Sequence, residues 1–146
     1  MTQILLSIRP NYVQAIIDGQ KKYEFRRSIF RQKDVDRVYM YSSSPVKKIV
    51  GSFDISDIVE GSPQDLWSRF ARWSGMNAEN FFHYFSGKSR GFAIGIDRVN
   101  VFSNPVDPRA HFEGFVPPQS FCYFNDSIEN VVTGRAARAT SEMKVA

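Results

Sequence analysis

Three stretches of this chain place apolar side chains at every second position, and that period constrains its fold more than any other feature. They are Lys21–Arg27, Lys48–Ile55 and Gly91–Phe102. Alternate residues of a β-strand point to the same face, so each stretch predicts a strand with one buried face. We expect the outer face of the first strand to carry its charges. Further strand-length runs are Ile4–Ile8, Arg37–Tyr41 and Gln119–Phe124.

The period changes from two to about 3.6 in the segment that follows Ser62. Leu66, Phe70 and Trp73 fall at i, i+4 and i+7, which places them on one face of a helix. Ser62 stands where a helix N-cap is expected, directly before a proline. A second apolar stripe of helical spacing comes next, so we predict a pair of helices inserted into the strand pattern. Trp67, one position off the first stripe, is expected to be their most exposed ring.

These elements predict an α+β domain, a small and mostly antiparallel β-barrel decorated with short helices. We expect it to cover residues 1–125, with the helical insertion at about 62–86, and residues 126–146 to form a flexible tail because they are polar and lack aromatic residues. A short helix is expected to begin at Pro10. Gly51 is expected to mark a bulge or a close backbone approach.

The composition excludes several classes of site. A single cysteine, Cys122, rules out an intramolecular disulfide framework and a zinc site built from several cysteines, and we expect it to be an inert buried thiol. The two histidines, His83 and His111, lie far apart in the sequence. We therefore predict no metal and no cofactor. We also expect a cytoplasmic protein without membrane contact, because no apolar run approaches roughly 20 residues and no secretory signal is present.

Positive charge is concentrated in the first third of the chain. Residues 1–48 carry ten lysines and arginines against four acids, whereas the remaining residues carry nine against eleven. A basic surface of this kind is suited to an anionic partner such as nucleic acid. A solvated basic face without a partner is the alternative that charge alone leaves open.

One group of residues in this basic third combines side chains that can bind a ligand or react with it. Ser7 and Arg9 precede Pro10, and a glycine nine residues later is followed by Lys21, Glu24 and Arg26. Arginine offers phosphate a bidentate fork and lysine a point charge, while Glu24 can hold the arginine or accept from a base amino group. The alternative is a surface ion-pair ladder, Lys22–Glu24–Arg26, worth about 0–1 kcal/mol.

In these elements, S-x-[KR]-P and G-x-K-x-x-E-x-R, the sequence resembles the ASCH domain family of the PUA-like superfamily. The segments YSSSPVKKIVGSFDI and PPQSFCYF extend the resemblance to about residues 3–124. It implies a small β-barrel with a cleft beside the motif, and a link to RNA binding, RNA processing or transcription regulation. An RNA or a nucleotide-like ligand is therefore the expected partner.

The resemblance also implies an alternative, hydrolysis of RNA or of a modified nucleoside such as acetylcytidine. In the acetylcytidine branch the motif has Thr where this chain has Glu24, so the proposed nucleophile is missing here. If the protein is an enzyme, Lys21 and Glu24 are the expected catalytic residues, with Lys21 as a base whose pKa is lowered by burial.

We expect the cleft to bind its ligand through residues from several segments. Arg9, Lys21 and Arg26 would contact phosphate, and Glu24 would orient them or recognise a base. The other expected lining residues are Ser7, Tyr41, Ser42, Gln119 and Ser120. A third hypothesis is a protein-interaction module whose helical insertion docks a partner; the sequence leaves the oligomeric state open.

Overall fold

The computed structural model describes residues 3–119, 121–124 and 144–145. Strands and helices interleave along the chain, and a 3₁₀ turn at Ala71–Trp73 follows the second helix. The strands are β1 (Gln3–Ile8), β2 (Tyr23–Arg26), β3 (Arg37–Ser42), β4 (Lys48–Gly61), β5 (Gly91–Val106), β6 (Phe121–Phe124) and β7 (Lys144–Val145). The helices are α1 (Pro10–Ile17), α2 (Pro63–Phe70), α3 (Ala78–Tyr84) and α4 (Pro108–His111).

The described strands form one sheet in the order β2-β5-β4-β3-β1-β6-β7. Strands β1 and β3 pair in parallel, and every other described pair is antiparallel. A parallel pair needs a crossover connection, and here α1 and β2 lie in that connection. The sheet curls into a half-barrel, which confirms the predicted α+β class.

The two long central strands extend further than their alternation predicted. Strand β4 continues past Ile55 to Gly61 and β5 past Phe102 to Val106, and their pairing shifts register three times. One shift lies beside Gly51, where an added Cβ would collide with the backbone carbonyl of Asn100. The predicted close backbone approach at Gly51 is therefore confirmed.

Two apolar clusters fix the elements that surround the site. Helix α1 places Val13 and Ile16 in the main core, against β1 residues such as Leu6. The insertion packs its own cluster against the outer side of β2 and β5, with Phe25 and Ala93 facing the helices. Each buried large side chain contributes about 1.5–3 kcal/mol, so this cluster fastens α2 and α3 to the sheet. Its members from the insertion are Leu66, Phe70, Phe81 and Phe85.

The first helix of the insertion is capped where the sequence predicts, but the exposure of its two tryptophans differs from the prediction. Ser62 accepts a hydrogen bond from the backbone N–H of Asp65 at 3.1 Å, as an N-cap should. The helix ends at Phe70, and the tighter 3₁₀ turn rotates Trp73 out of the apolar stripe, leaving it 36% exposed. Trp67 instead packs on Phe81, with ring centroids 4.8 Å apart. The expectation that Trp67 is the most exposed ring was therefore wrong.

The predicted tail at 126–146 lies outside the described residues except for Lys144–Val145, which pair with β6. Helix α4 was not predicted; Asp107 caps it by accepting from the N–H of Arg109 at 3.0 Å. Among the helices described, none has the length and apolar character needed to cross a bilayer.

Candidate functional site

A cavity of about 310 Å³ opens where the end of β1, strand β2 and helix α3 meet. We call it the Lys21 cleft. It combines cationic, acidic, amide and aromatic side chains, a set suited to a polar ligand with a planar group. Its lining residues are Ser7, Ile8, Arg9, Tyr12, Lys21, Glu24, Phe25, Arg26, Met76, Asn80, His83, Tyr84 and Gln119.

Lys21 forms the buried floor of this cleft and is only 2% exposed. Its Nζ donates a hydrogen bond to the backbone carbonyl of Ser74 at 2.6 Å and lies 3.9 Å from the carboxylate of Glu24. The ring centroids of Tyr12 and Phe25 are 5.2 and 5.1 Å from the same nitrogen. Burial lowers the pKa of Lys21, and the negative charge of Glu24 opposes that shift.

The loop that follows the 3₁₀ turn is shaped to cover Lys21. Ser74 Oγ donates to the carbonyl of Ala71 at 2.7 Å and accepts from the N–H of Met76 at 3.1 Å, which holds the loop closed. Gly75 follows with φ of +65°, and an added Cβ would lie 2.8 Å from the Cβ of Lys21. The insertion therefore reaches the cleft floor through a glycine that leaves room for the lysine stem.

Glu24 and Arg26 lie on the main-core side of β2, contrary to the expectation that this face is the outer one. Glu24 is 6% exposed, and its register partner Ile94 belongs to the main core. Arg26 Nη1 donates to Glu24 Oε2 at 3.1 Å. The alternation was correct, but the insertion covers the apolar side of the strand, so the charged side turns towards the cleft.

The ion-pair ladder Lys22–Glu24–Arg26, the alternative that the sequence left open, does not form. Glu24 pairs with Lys21 and Arg26, whereas the Nζ of Lys22 lies 4.4 Å from the ring centroid of Trp73. The carboxylate is therefore shared between two cations inside the cleft. Burial makes such a pair costly to break, because a lone charge would remain.

The cleft is also lined from β1, from the start of α1 and from the segment before β6, by Ser7, Arg9 and Gln119. Arg9 is exposed and occupies the N-cap position of α1 without a side-chain capping bond. Ser7 is half-buried near the end of β1, and Gln119 is exposed just before β6. Arg9 and Arg26 are thus the cations nearest to solvent, while Lys21 lies beneath them.

Helix α3 contributes three lining residues that the sequence analysis did not identify, Asn80, His83 and Tyr84. His83 is exposed, and Tyr84 is half-buried. The pKa of Tyr84 is raised, chiefly by burial, while the positive charge of Arg26 opposes the shift. The available signal was weak: these side chains flank the apolar stripe, but nothing local placed the helix over the cleft.

Two predicted site residues, Tyr41 and Ser42, are not brought into the cleft. Tyr41 is 1% exposed and packs in a second apolar cluster against Phe115, with ring centroids 5.4 Å apart. Its strand carries it to the side of the sheet away from Glu24, so it does not line the cleft. Ser42 is buried in β3 opposite Ile8 and does not line the cavity. Ser120 lies outside the described residues.

Within the part of the chain that the structure describes, no three His, Cys, Asp or Glu side chains lie close enough together to hold a metal ion. The polar groups of the cleft are instead three cationic residues, one carboxylate, one imidazole, two amides and three hydroxyls. This set can bind an anion, accept or donate hydrogen bonds to a base edge, and exchange a proton.

Comparisons with known proteins identify the same kind of domain. The family model "ASCH domain" matches residues 6–99. An ASCH domain-containing ribonuclease from Zymomonas mobilis is 30% identical over 126 residues, which are 83% of each chain. The crystal structure of ASCH from Zymomonas mobilis superposes with a TM-score of 0.81 at 26% identity, covering 90% of this chain and 94% of that one. The crystal structure of a mutant of that protein superposes with the same TM-score, and the match covers 96% of the mutant chain.

Proposed function

The chain belongs to the ASCH domain family, and from that premise we propose that it binds RNA, or a nucleotide-like part of RNA, in the Lys21 cleft. The observation that carries the proposal is the placing of Arg9 and Arg26 at one opening above the buried Lys21. A ribonuclease relative of similar length supports RNA as the anion. Cytoplasmic RNA processing is the setting that we propose, ahead of transcription regulation.

Each lining group has a role in this proposal. Arg9 and Arg26 donate to phosphate oxygens, and Glu24 holds the Arg26 guanidinium in place at 3.1 Å. Lys21 supplies positive charge from the floor without leaving its bond to Ser74. Asn80 and Gln119 present amides, which suit the hydrogen-bonding edge of an unpaired base.

A salt series of RNA binding tests this function. Arg9→Gln and Arg26→Gln should each weaken the affinity for single-stranded RNA at least roughly ten-fold, because each removes a charge-assisted hydrogen bond. Each should also reduce the slope of log affinity against log salt by about 0.7. Arg109→Gln is the matched control, since Arg109 is exposed on α4 and does not line the cleft. Equal losses in all three variants would contradict binding in the cleft.

RNA cleavage is the second candidate, and two observations favour it. A relative that matches 83% of this chain is a ribonuclease, and His83 lines the cleft, where an imidazole can serve as a general base. Lys21 is a less suitable base than His83 because its Nζ is buried and already donates to Ser74. Glu24 is likewise engaged by Arg26.

In this candidate reaction His83 accepts the proton of a ribose 2′-hydroxyl while that oxygen attacks the adjacent phosphorus. The new P–O2′ bond replaces the P–O5′ bond, and the leaving 5′-oxygen takes a proton from the imidazolium or from water. The products are a 2′,3′-cyclic phosphate end and a 5′-hydroxyl end.

Gel analysis of labelled RNA with end-group mapping decides between binding and cleavage. Cleavage predicts cyclic phosphate ends that His83→Gln reduces by about 10²–10⁴-fold while RNA affinity is kept. Intact RNA at high protein concentration would exclude cleavage and leave RNA binding as the function. Release of acetate from acetylcytidine would instead support the nucleoside hydrolase, which Glu24 at the threonine position disfavours.

A further inference from the structure

The most exposed tryptophan of the described residues lies beside the cleft and outside it. Trp73 is 36% exposed, in the 3₁₀ turn at Ala71–Trp73. An indole on the surface exposes a large apolar area that a core tryptophan would bury. Its position is not that of the apolar stripe, because α2 ends at Phe70 and the 3₁₀ turn follows.

Two cations flank this ring. The Nζ of Lys22 lies 4.4 Å from the centroid of Trp73, and the guanidinium carbon of Arg72 lies 5.0 Å from it. We call these three residues the Trp73 patch. No acidic residue occurs between Leu66 and Ala78, so the surrounding segment adds no negative charge.

The patch adjoins the Lys21 cleft along both chain segments. Lys22 directly follows the floor residue Lys21, and Trp73 directly precedes Ser74, which accepts the bond from Lys21. The N–H of Lys22 donates to the carbonyl of Trp73 at 2.8 Å, so the two segments are tied at this point. The backbone of the patch is therefore fixed to the segments that form the cleft floor.

We propose that the Trp73 patch binds a second nucleotide of single-stranded RNA, next to the one in the cleft. Its base stacks on the indole in place of a cation that now lies over the ring, and its phosphate pairs with Lys22 and Arg72. Single-strand binders combine stacking aromatic rings with cations in this way, and a duplex cannot offer its bases to such a ring. This inference rests on the proposed function, and it makes the substrate an oligonucleotide rather than a free nucleotide.

Tryptophan fluorescence tests the patch directly. In a Trp67→Phe background Trp73 is the remaining indole, and Trp67→Phe keeps an aromatic ring against Phe81. Titration with oligouridylate long enough to leave the cleft should quench this emission, whereas uridine monophosphate should not. Trp73→Ala should weaken oligouridylate binding roughly ten-fold and leave monophosphate binding unchanged.

A second pair of variants removes dependence on the tryptophan. Lys22→Gln with Arg72→Gln should lower the salt slope for oligouridylate by about 1.4, since each lost phosphate contact accounts for about 0.7. Trp73→Phe should give an affinity between wild type and Trp73→Ala. Circular dichroism and thermal melting verify that each variant is folded.

The outcomes separate this inference from the function on which it rests. If neither the wild type nor any variant binds RNA, both the proposed function and the Trp73 patch are overturned. Binding that Arg26→Gln weakens and Trp73→Ala does not, without quenching, would overturn the patch alone. Quenching by vesicles of anionic phospholipid but not by oligouridylate would show that the patch faces a membrane surface, and would also overturn it.

Discussion

The ammonium of Lys21 donates to the backbone carbonyl of Ser74 across 2.6 Å and thereby joins residues 53 positions apart in the chain. This bond ties the segment just before β2 to the loop between α2 and α3. The same lysine faces Glu24 at 3.9 Å, so one buried side chain links the helical insertion to the charged residues of the cleft. Placement of the insertion and electrostatics of the cleft are therefore coupled.

Gly75→Ala should damage this link more than a comparable change elsewhere. Gly75 and Gly87 both have positive φ, so alanine at either position costs roughly 1–2 kcal/mol in backbone strain. At Gly75 the new Cβ would also lie 2.8 Å from Lys21, whereas nothing lies within 4 Å at Gly87. We expect Gly75→Ala to destabilise the protein by about 1–3 kcal/mol more than Gly87→Ala in urea unfolding. Equal losses would mean that the loop does not pack on Lys21 as described.

Gly51→Ala should be among the most destabilising alanine substitutions in the sheet. The added Cβ would collide with the backbone carbonyl of Asn100 at a register shift of β4 and β5, and a backbone atom in paired strands cannot move aside cheaply. We expect a loss of about 3 kcal/mol in the free energy of unfolding.

Gly61→Ala is the control for this prediction, because the nearest atom there is a side-chain oxygen of Asp65, at 3.0 Å, which can rotate away. A Gly51→Ala protein as stable as Gly61→Ala would contradict the close approach.

The sequence was sufficient to predict most elements, because their signals are local. Strand alternation, the proline at the start of α1 and the cap at Ser62 all depend on neighbouring residues. Local signals do not predict which residues are brought together in the cleft. His83 and Tyr84 line it only because α3 folds back over β2, and that depends on tertiary packing.

The errors have the same cause. The charges of Glu24 and Arg26 were assigned to an outer face because alternation gives two faces without saying which one the rest of the chain covers. Trp73 was assigned to an apolar stripe because i+7 spacing assumes that the helix continues, whereas α2 ends at Phe70. Tyr41 was chosen for its residue type, and its side of the sheet follows from pairing with distant strands.

Cys122 should be unreactive in the folded protein. The thiol is fully buried, and burial raises its pKa to about 12. Because the thiolate is the reacting form, a chromogenic disulfide reagent at mildly alkaline pH should label the native protein very slowly and the unfolded protein completely. The Cys122→Ala variant provides the blank. Rapid stoichiometric labelling without denaturant would contradict the burial of β6 against β1.

The pH dependence of stability should report the buried charge of Lys21. Its pKa is lowered in the folded state from an ordinary value of 10.5, so between the lowered value and 10.5 the unfolded chain binds more protons than the native protein. The free energy of unfolding therefore gains from this residue as pH rises through that window. Below the window Lys21 is charged in both states, and the cost of its burial is fully present.

Urea unfolding of wild type and Lys21→Met from neutral to alkaline pH measures this contribution. The stability of wild type relative to Lys21→Met should increase with pH, whereas parallel curves would exclude the shift. Glu24→Gln gives a second check, because loss of the carboxylate removes the charge that opposes the effect of burial on Lys21. The pKa of Lys21, followed by NMR of the lysine Cε resonances, should fall further in Glu24→Gln. An increase would show that Glu24 does not act on Lys21 through its charge.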